Sequence, residues 1–92
     1  MTKKYAIMIA FRGTSSPNND VVERILTPVV ADWARLTRGQ YIVAHSGSID
    51  AIYNALKPLL DPADSIVMIE VDMANLRGWV QPATNAWLAR NR

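Results

Sequence analysis

Two short apolar runs, KYAIMIAF at residues 4–11 and SIVMIEV at residues 65–71, set the strongest limit on how this chain can fold. The first is too short for a typical buried helix and reads as a strand buried on both faces, in the middle of a sheet. The second reads as another buried strand. Between them lie two stretches with helical spacing and one that alternates differently. Residues 12–19 (RGTSSPNN) cluster loop formers, and Asn18, Asn19 or Asp20 can each cap a following helix. Val22, Ile25, Leu26, Val29 and Trp33 then fall on one helical face, which predicts a helix over residues 20–32. Pro28 lies inside that pattern; it removes a backbone donor and should bend or shorten the helix.

Residues 33–46 admit two readings. The helix can continue to Leu36, or residues 34–37 and 41–45 can form a hairpin around Arg38-Gly39. The hairpin is preferred, because Tyr41, Ile42 and Val43 suit a pleated surface. Ser46-Gly47-Ser48 breaks the chain, with Ser48 as N-cap and Asp50 in the first turn of a second helix. Its stripe is Ile49, Ile52, Tyr53, Leu56, Leu59 and Leu60, and Pro58 should distort its last turn. Residues 61–64 (DPAD) form a loop before the second apolar run. The order strand, helix, strand pair, helix, strand predicts an α+β, ferredoxin-like β-α-β-β-α-β sandwich, with two helices on one face of an antiparallel sheet. The expected organisation is a single domain, 1–92, with its core at 1–72 and a C-terminal extension at 73–92. Pro82 opens a short helix there that presents Trp87 and Leu88.

Ninety-two residues give room for one core, near the lower end of what folds without staples. Half of the residues are hydrophobic and none is cysteine, which excludes disulfides and thiolate metal sites. Packing must hold the chain, alone or with a partner subunit. The basic start followed by an apolar run is too short for a signal peptide and ends in Arg12-Gly13 without a cleavage site, so the expected location is cytoplasmic. No stretch approaches the length of a membrane span. The net charge is +2, and seven arginines against three lysines are spread over the whole chain. That balance permits an anionic partner without requiring one.

From Trp33 onward the chain has an aromatic-rich strand, a serine-containing loop, an amphipathic helix ending in Leu59-Leu60, the linker Asp61-Pro62-Ala63-Asp64-Ser65 and an apolar strand. With Trp79, Ala86, Trp87, Leu88 and Asn91 in the tail, this pattern resembles the small SinR-like proteins, distant relatives of the second core CRISPR-associated protein and distinct from the sporulation repressor that shares the name. The resemblance implies a ferredoxin-like homodimer in which the sheets of two subunits pack together and the C-terminal segment crosses to the partner. It also implies a nucleic-acid ligand and, in some relatives, metal-dependent nuclease activity from an aspartate at the end of the first strand. That place here reads Phe11-Arg12-Gly13, with no carboxylate before Asp20. A guanidinium has no lone pair for magnesium and carries the wrong charge.

The candidate sites follow. Arg12, Gly13, Thr14, Ser15 and Ser16 stand where a strand hands over to a helix, and backbone N–H groups and hydroxyls there can hold a phosphate. The spacing of a Walker or dinucleotide motif is missing, so a solvated loop is the plainer reading. If nucleic acid or another anion binds, the candidate residues are Arg12, Thr14, Ser15, Ser16, Arg35 and Arg38. His45 with Ser46 and Ser48 suggests acyl transfer, against the plainer reading of a strand-end histidine with an ordinary hydrogen bond. Glu70 and Asp72 share a face if their strand continues, and read as a solvated strand end before a cation site. Trp79, Trp87 and Leu88 are the expected dimer contact, because a small domain has difficulty burying three indoles; the alternative is a tail folded onto its own domain. No catalytic residue, metal ligand or cofactor is assigned. The expected function is a non-catalytic homodimeric module that binds nucleic acid or scaffolds an assembly. The alternatives are a metal-dependent nuclease using another carboxylate, such as Asp72, and a purely structural dimer.

Overall fold

The computed structural model describes residues 2–12 and 18–91. In chain order these form β1 (Lys3–Ala10), α1 (Asn19–Val29), β2 (Asp32–Thr37), β3 (Gln40–His45), α2 (Ile49–Leu56), β4 (Ser65–Val71) and α3 (Pro82–Arg90). Single 3-10 turns follow α2, at Lys57–Leu59, and β4, at Met73–Asn75. The architecture is α+β, with one four-stranded sheet in the order β2-β3-β1-β4 and every neighbouring pair antiparallel.

The hairpin reading holds. β2 and β3 pair with Ala34 opposite Ile42, around a turn in which Gly39 adopts φ +75°. That conformation is open to glycine and costly to other residues. The Gly39 carbonyl accepts a 2.7 Å hydrogen bond from the Ile9 amide, so the turn is tied to the central strand.

The first helix ends earlier than its apolar spacing suggests. It begins at Asn19, capped by Asn18, whose side chain accepts from the Val21 amide at 3.2 Å, and it stops at Val29. Pro28 strips the last turn of a donor. By Ala31 the chain has joined the sheet, its amide donating to the Ala44 carbonyl at 2.8 Å. Trp33 therefore lies in β2 rather than on the helix, edge-on to the Tyr41 ring at 6.0 Å. Pro58 acts as expected, because α2 tightens into the 3-10 turn that contains it.

α1 and α2 cover one sheet face. Val22 and Leu26 of α1 and Ile52 and Leu56 of α2 meet Tyr5, Ile7, Ile9, Tyr41 and Val43 in the main core. Each fully buried aliphatic side chain there stabilises the fold by about 1.5–3 kcal/mol. The outer face is covered only in part. α3 lies over the β2–β3 half, where Trp87 and Leu88 pack on Ala34, Ile42 and Ala44. This corrects the reading of residues 4–11 and 65–71 as strands buried on both faces. β1 is central but leaves Met8 42% exposed, and β4 is an edge strand with Val67 56% and Ile69 52% exposed.

Candidate functional site

The N-terminus of α1 and the β2–β3 hairpin build one corner of the molecule, and the sequence explains why they meet. Asn19 and Glu23 are four residues apart and so share a helix face. Asn19 Oδ1 accepts from the Gly39 amide at 3.1 Å, which docks the hairpin turn on the helix. The Tyr41 hydroxyl, on a side chain with no exposed area, lies 2.9 Å from Glu23 Oε2 and 3.0 Å from Asn19 Oδ1. Its single hydrogen is best donated to the carboxylate, the stronger acceptor. Glu23 Oε2 also pairs with Arg35 Nη1 at 3.2 Å. Burial first, and then the hydrogen bond and charge of Glu23, push the Tyr41 phenol well above its ordinary pKa, against a smaller opposite pull from Arg35.

Outside this network is a cleft of about 270 Å³ lined by Asn18, Asn19, Asp20, Arg35 and Arg38. Two of the expected anion-binding residues, Arg35 and Arg38, are thus brought together, at the positive end of α1. Arg38 lies over the Phe11 ring at 5.7 Å and has no carboxylate within ion-pair range among the described residues. Arg35 is shared with Glu23, and Asp20 brings a negative charge to the rim. Arg12 is anchored nearby through its backbone, its amide donating to Asp64 Oδ1 at 2.7 Å. Gly13, Thr14, Ser15 and Ser16 lie outside the described residues. The corner offers a guanidinium and a helix end, the means to hold a phosphate or carboxylate.

The other sequence candidates are placed as follows. His45 is buried at the end of β3, and its Nε2 lies 3.1 Å from the Ser48 carbonyl oxygen, the ordinary hydrogen bond weighed above. Gly47 lets the ring sit there, since a Cβ at that position would come 2.9 Å from Nε2. Glu70 and Asp72 are separated in role. Glu70 pairs with Lys3 at 3.8 Å, whereas β4 ends at Val71 and Asp72 caps the next turn, accepting from the Ala74 amide and from Asn75 Nδ2 at 3.0 Å each. Among the described residues no three His, Asp or Glu side chains gather to hold a metal ion. Trp87 and Leu88 are buried against the chain's own sheet, the placement of a tail folded onto its own domain. Trp79 is fully exposed, beside a cleft lined by Leu36, Val80 and Pro82.

Glu23 and Tyr41 were not singled out from the sequence, although the Asn19–Glu23 spacing was there to be read. Their partnership depends on the hairpin register, which places Tyr41 opposite Ile7 and under the helix. No protein-family model matches the chain, and no curated protein and no solved structure matches it either. Among the described residues no helix is long and apolar enough to cross a membrane.

Proposed function

We propose that this chain is a ferredoxin-like, SinR-like module of the cytoplasm that works as a non-catalytic homodimer and scaffolds an assembly. The observation that carries this reading is the outer sheet face. α3 covers its β2–β3 half and leaves Met8, Val67 and Ile69 adjacent and exposed on the β1–β4 half, Met8 standing opposite Val67. Large apolar side chains grouped on an open sheet face mark an interaction surface. Light scattering across a concentration series tests the reading: a dimer at micromolar concentration supports it, and a monomer throughout removes it.

Nucleic acid is the second reading, favoured by Arg38 and Arg35 beside the start of α1. Titration with short RNA and DNA at several salt concentrations tests it. Binding that weakens steeply with salt, and that Arg38→Ala weakens at low salt with a shallower salt slope, supports phosphate contact at this corner. Binding unaffected by salt or by Arg38→Ala removes it. The metal-dependent nuclease is tested by incubation of labelled RNA and DNA with magnesium or EDTA, and Asp72→Ala should abolish any cleavage if that carboxylate serves it.

A further inference from the structure

We infer that two copies of this chain join β4 to β4 in antiparallel register, so that one sheet runs through the dimer. The inference rests on the homodimer reading and specifies how that dimer is built. A sheet of four strands in the order β2-β3-β1-β4 has two edges, and each edge presents unpaired N–H and C=O groups unless something blunts it. The β2 edge is blunted. Its pairing is irregular between Arg35 and Thr37, it carries Asp32 and Arg35, and the Thr84 hydroxyl of α3 reaches the Arg35 carbonyl at 3.4 Å. The β4 edge has no such device. Its seven residues, SIVMIEV, contain one charge, and among the described residues a strand pairs with it on one side only.

Both faces of that edge are apolar and accessible. On the outer face are Val67 and Ile69, each more than half exposed. On the helix face a cleft of about 220 Å³ opens between α2 and β4, lined by Ile49, Asp50, Tyr53, Ile66 and Met68. Backbone pairing at this edge would therefore bring side-chain burial on both sides of the strand, as strand addition does when it is specific.

The occupant is a second copy because the edge is complementary to itself. Met68 is the midpoint of β4. Pairing centred on it uses the whole strand, sets Val67 across from Ile69 of the second copy, and sets Ser65 across from Val71. Glu70 then faces Ile66, whereas centring on Glu70 would oppose the two carboxylates. A two-fold contact of this kind is closed, each patch meeting its own copy. The blunted β2 edge prevents the β2-to-β4 contact that would propagate without end.

Four measurements on the full chain decide it. Light scattering should give a dimer. Val67→Lys combined with Ile69→Lys places lysine directly across from lysine and should weaken the dimer roughly tenfold or more. Met8→Lys, on the same outer face but one strand away from the edge, should weaken the dimer much less than the β4 pair does. Hydrogen exchange on the unsubstituted chain should show alternate β4 amides slowing as the dimer forms, because they enter a new ladder. If the dimer is present but Met8→Lys weakens it as much as the β4 pair does, or if the β4 amides exchange equally fast in monomer and dimer, the edge pairing is wrong and the homodimer reading stands. If the chain is monomeric, both fall.

Discussion

At the scale of single residues, the Tyr41 hydroxyl and Gly39 make the most demanding claims. Tyr41 is fully buried and gives its proton to a network that links α1 to the hairpin. Tyr41→Phe keeps the ring and removes the hydroxyl donor from a buried bond to a carboxylate, so it should cost about 1–2 kcal/mol in denaturant unfolding. The same residue predicts a pH dependence. Its folded pKa is raised, so the folded chain holds the phenolic proton more tightly than the unfolded chain does. That contribution is complete below the ordinary tyrosine value of about 10 and is lost as pH rises through the folded value, at up to about 1.4 kcal/mol per pH unit. Unfolding free energies measured from pH 8 to 11 should therefore fall at the alkaline end, and Tyr41→Phe should flatten the fall. Gly39→Ala meets two obstacles, a positive φ and a Cβ that would collide with the Ile9 carbonyl oxygen. It should cost about 1–3 kcal/mol, read as a lower denaturation midpoint with an unchanged slope.

At the scale of elements, legibility followed locality. The hairpin was readable because Arg38-Gly39 and the run Tyr41-Ile42-Val43 are adjacent in the chain, and the distortion after α2 because Pro58 acts on its own turn. The end of α1 was not, since Trp33 fits the helical spacing, whereas the chain has already joined β3 through the Ala31 amide and Trp33 pairs opposite Val43. The apolar runs at 4–11 and 65–71 announced strands but not what covers them; a run of Ile, Val and Met reads alike whether its outer face meets α3 or remains bare. At the candidate corner, Arg35 and Arg38 were readable as charges, and their convergence on Asn18, Asn19 and Asp20 needed the hairpin register. α3 itself supplies an element-scale prediction. Trp87 sits on Ala34, Ile42 and Ala44, while its Nε1 has no hydrogen-bond partner among the described residues. Its value to the fold is then packing. Trp87→Ala should cost about 3–5 kcal/mol, and Trp87→Phe far less, within about 1.5 kcal/mol, when thermal or urea unfolding is compared.

At the scale of the whole molecule, one sheet serves two cores. The face under α1 and α2 is closed by Ile7, Leu26, Ile52 and Leu56, all with almost no exposed area, and its core cluster draws no residue from α3 among the described residues. The outer face owes its closure to the tail alone, through Trp87, Leu88 and the partly buried Leu76 and Val80. Removing residues 82–92 should therefore leave the strand order intact while stripping the β2–β3 half of its cover and baring Ala34, Ile42 and Ala44 beside the Met8, Val67 and Ile69 already exposed. Loss of the Trp87 and Leu88 packing amounts to about 3–5 kcal/mol or more, against a total stability of about 5–15 kcal/mol for a domain of ordinary kind. The truncated chain should retain far-ultraviolet circular dichroism of a mixed sheet and helix, melt at a clearly lower temperature, bind an apolar dye, and associate beyond a dimer in light scattering, because its apolar face then spans all four strands. An unchanged melting temperature would show that the tail adds nothing to the second core. Full loss of secondary structure would show instead that the two cores are one cooperative unit, with the outer layer as necessary to the sheet as the inner.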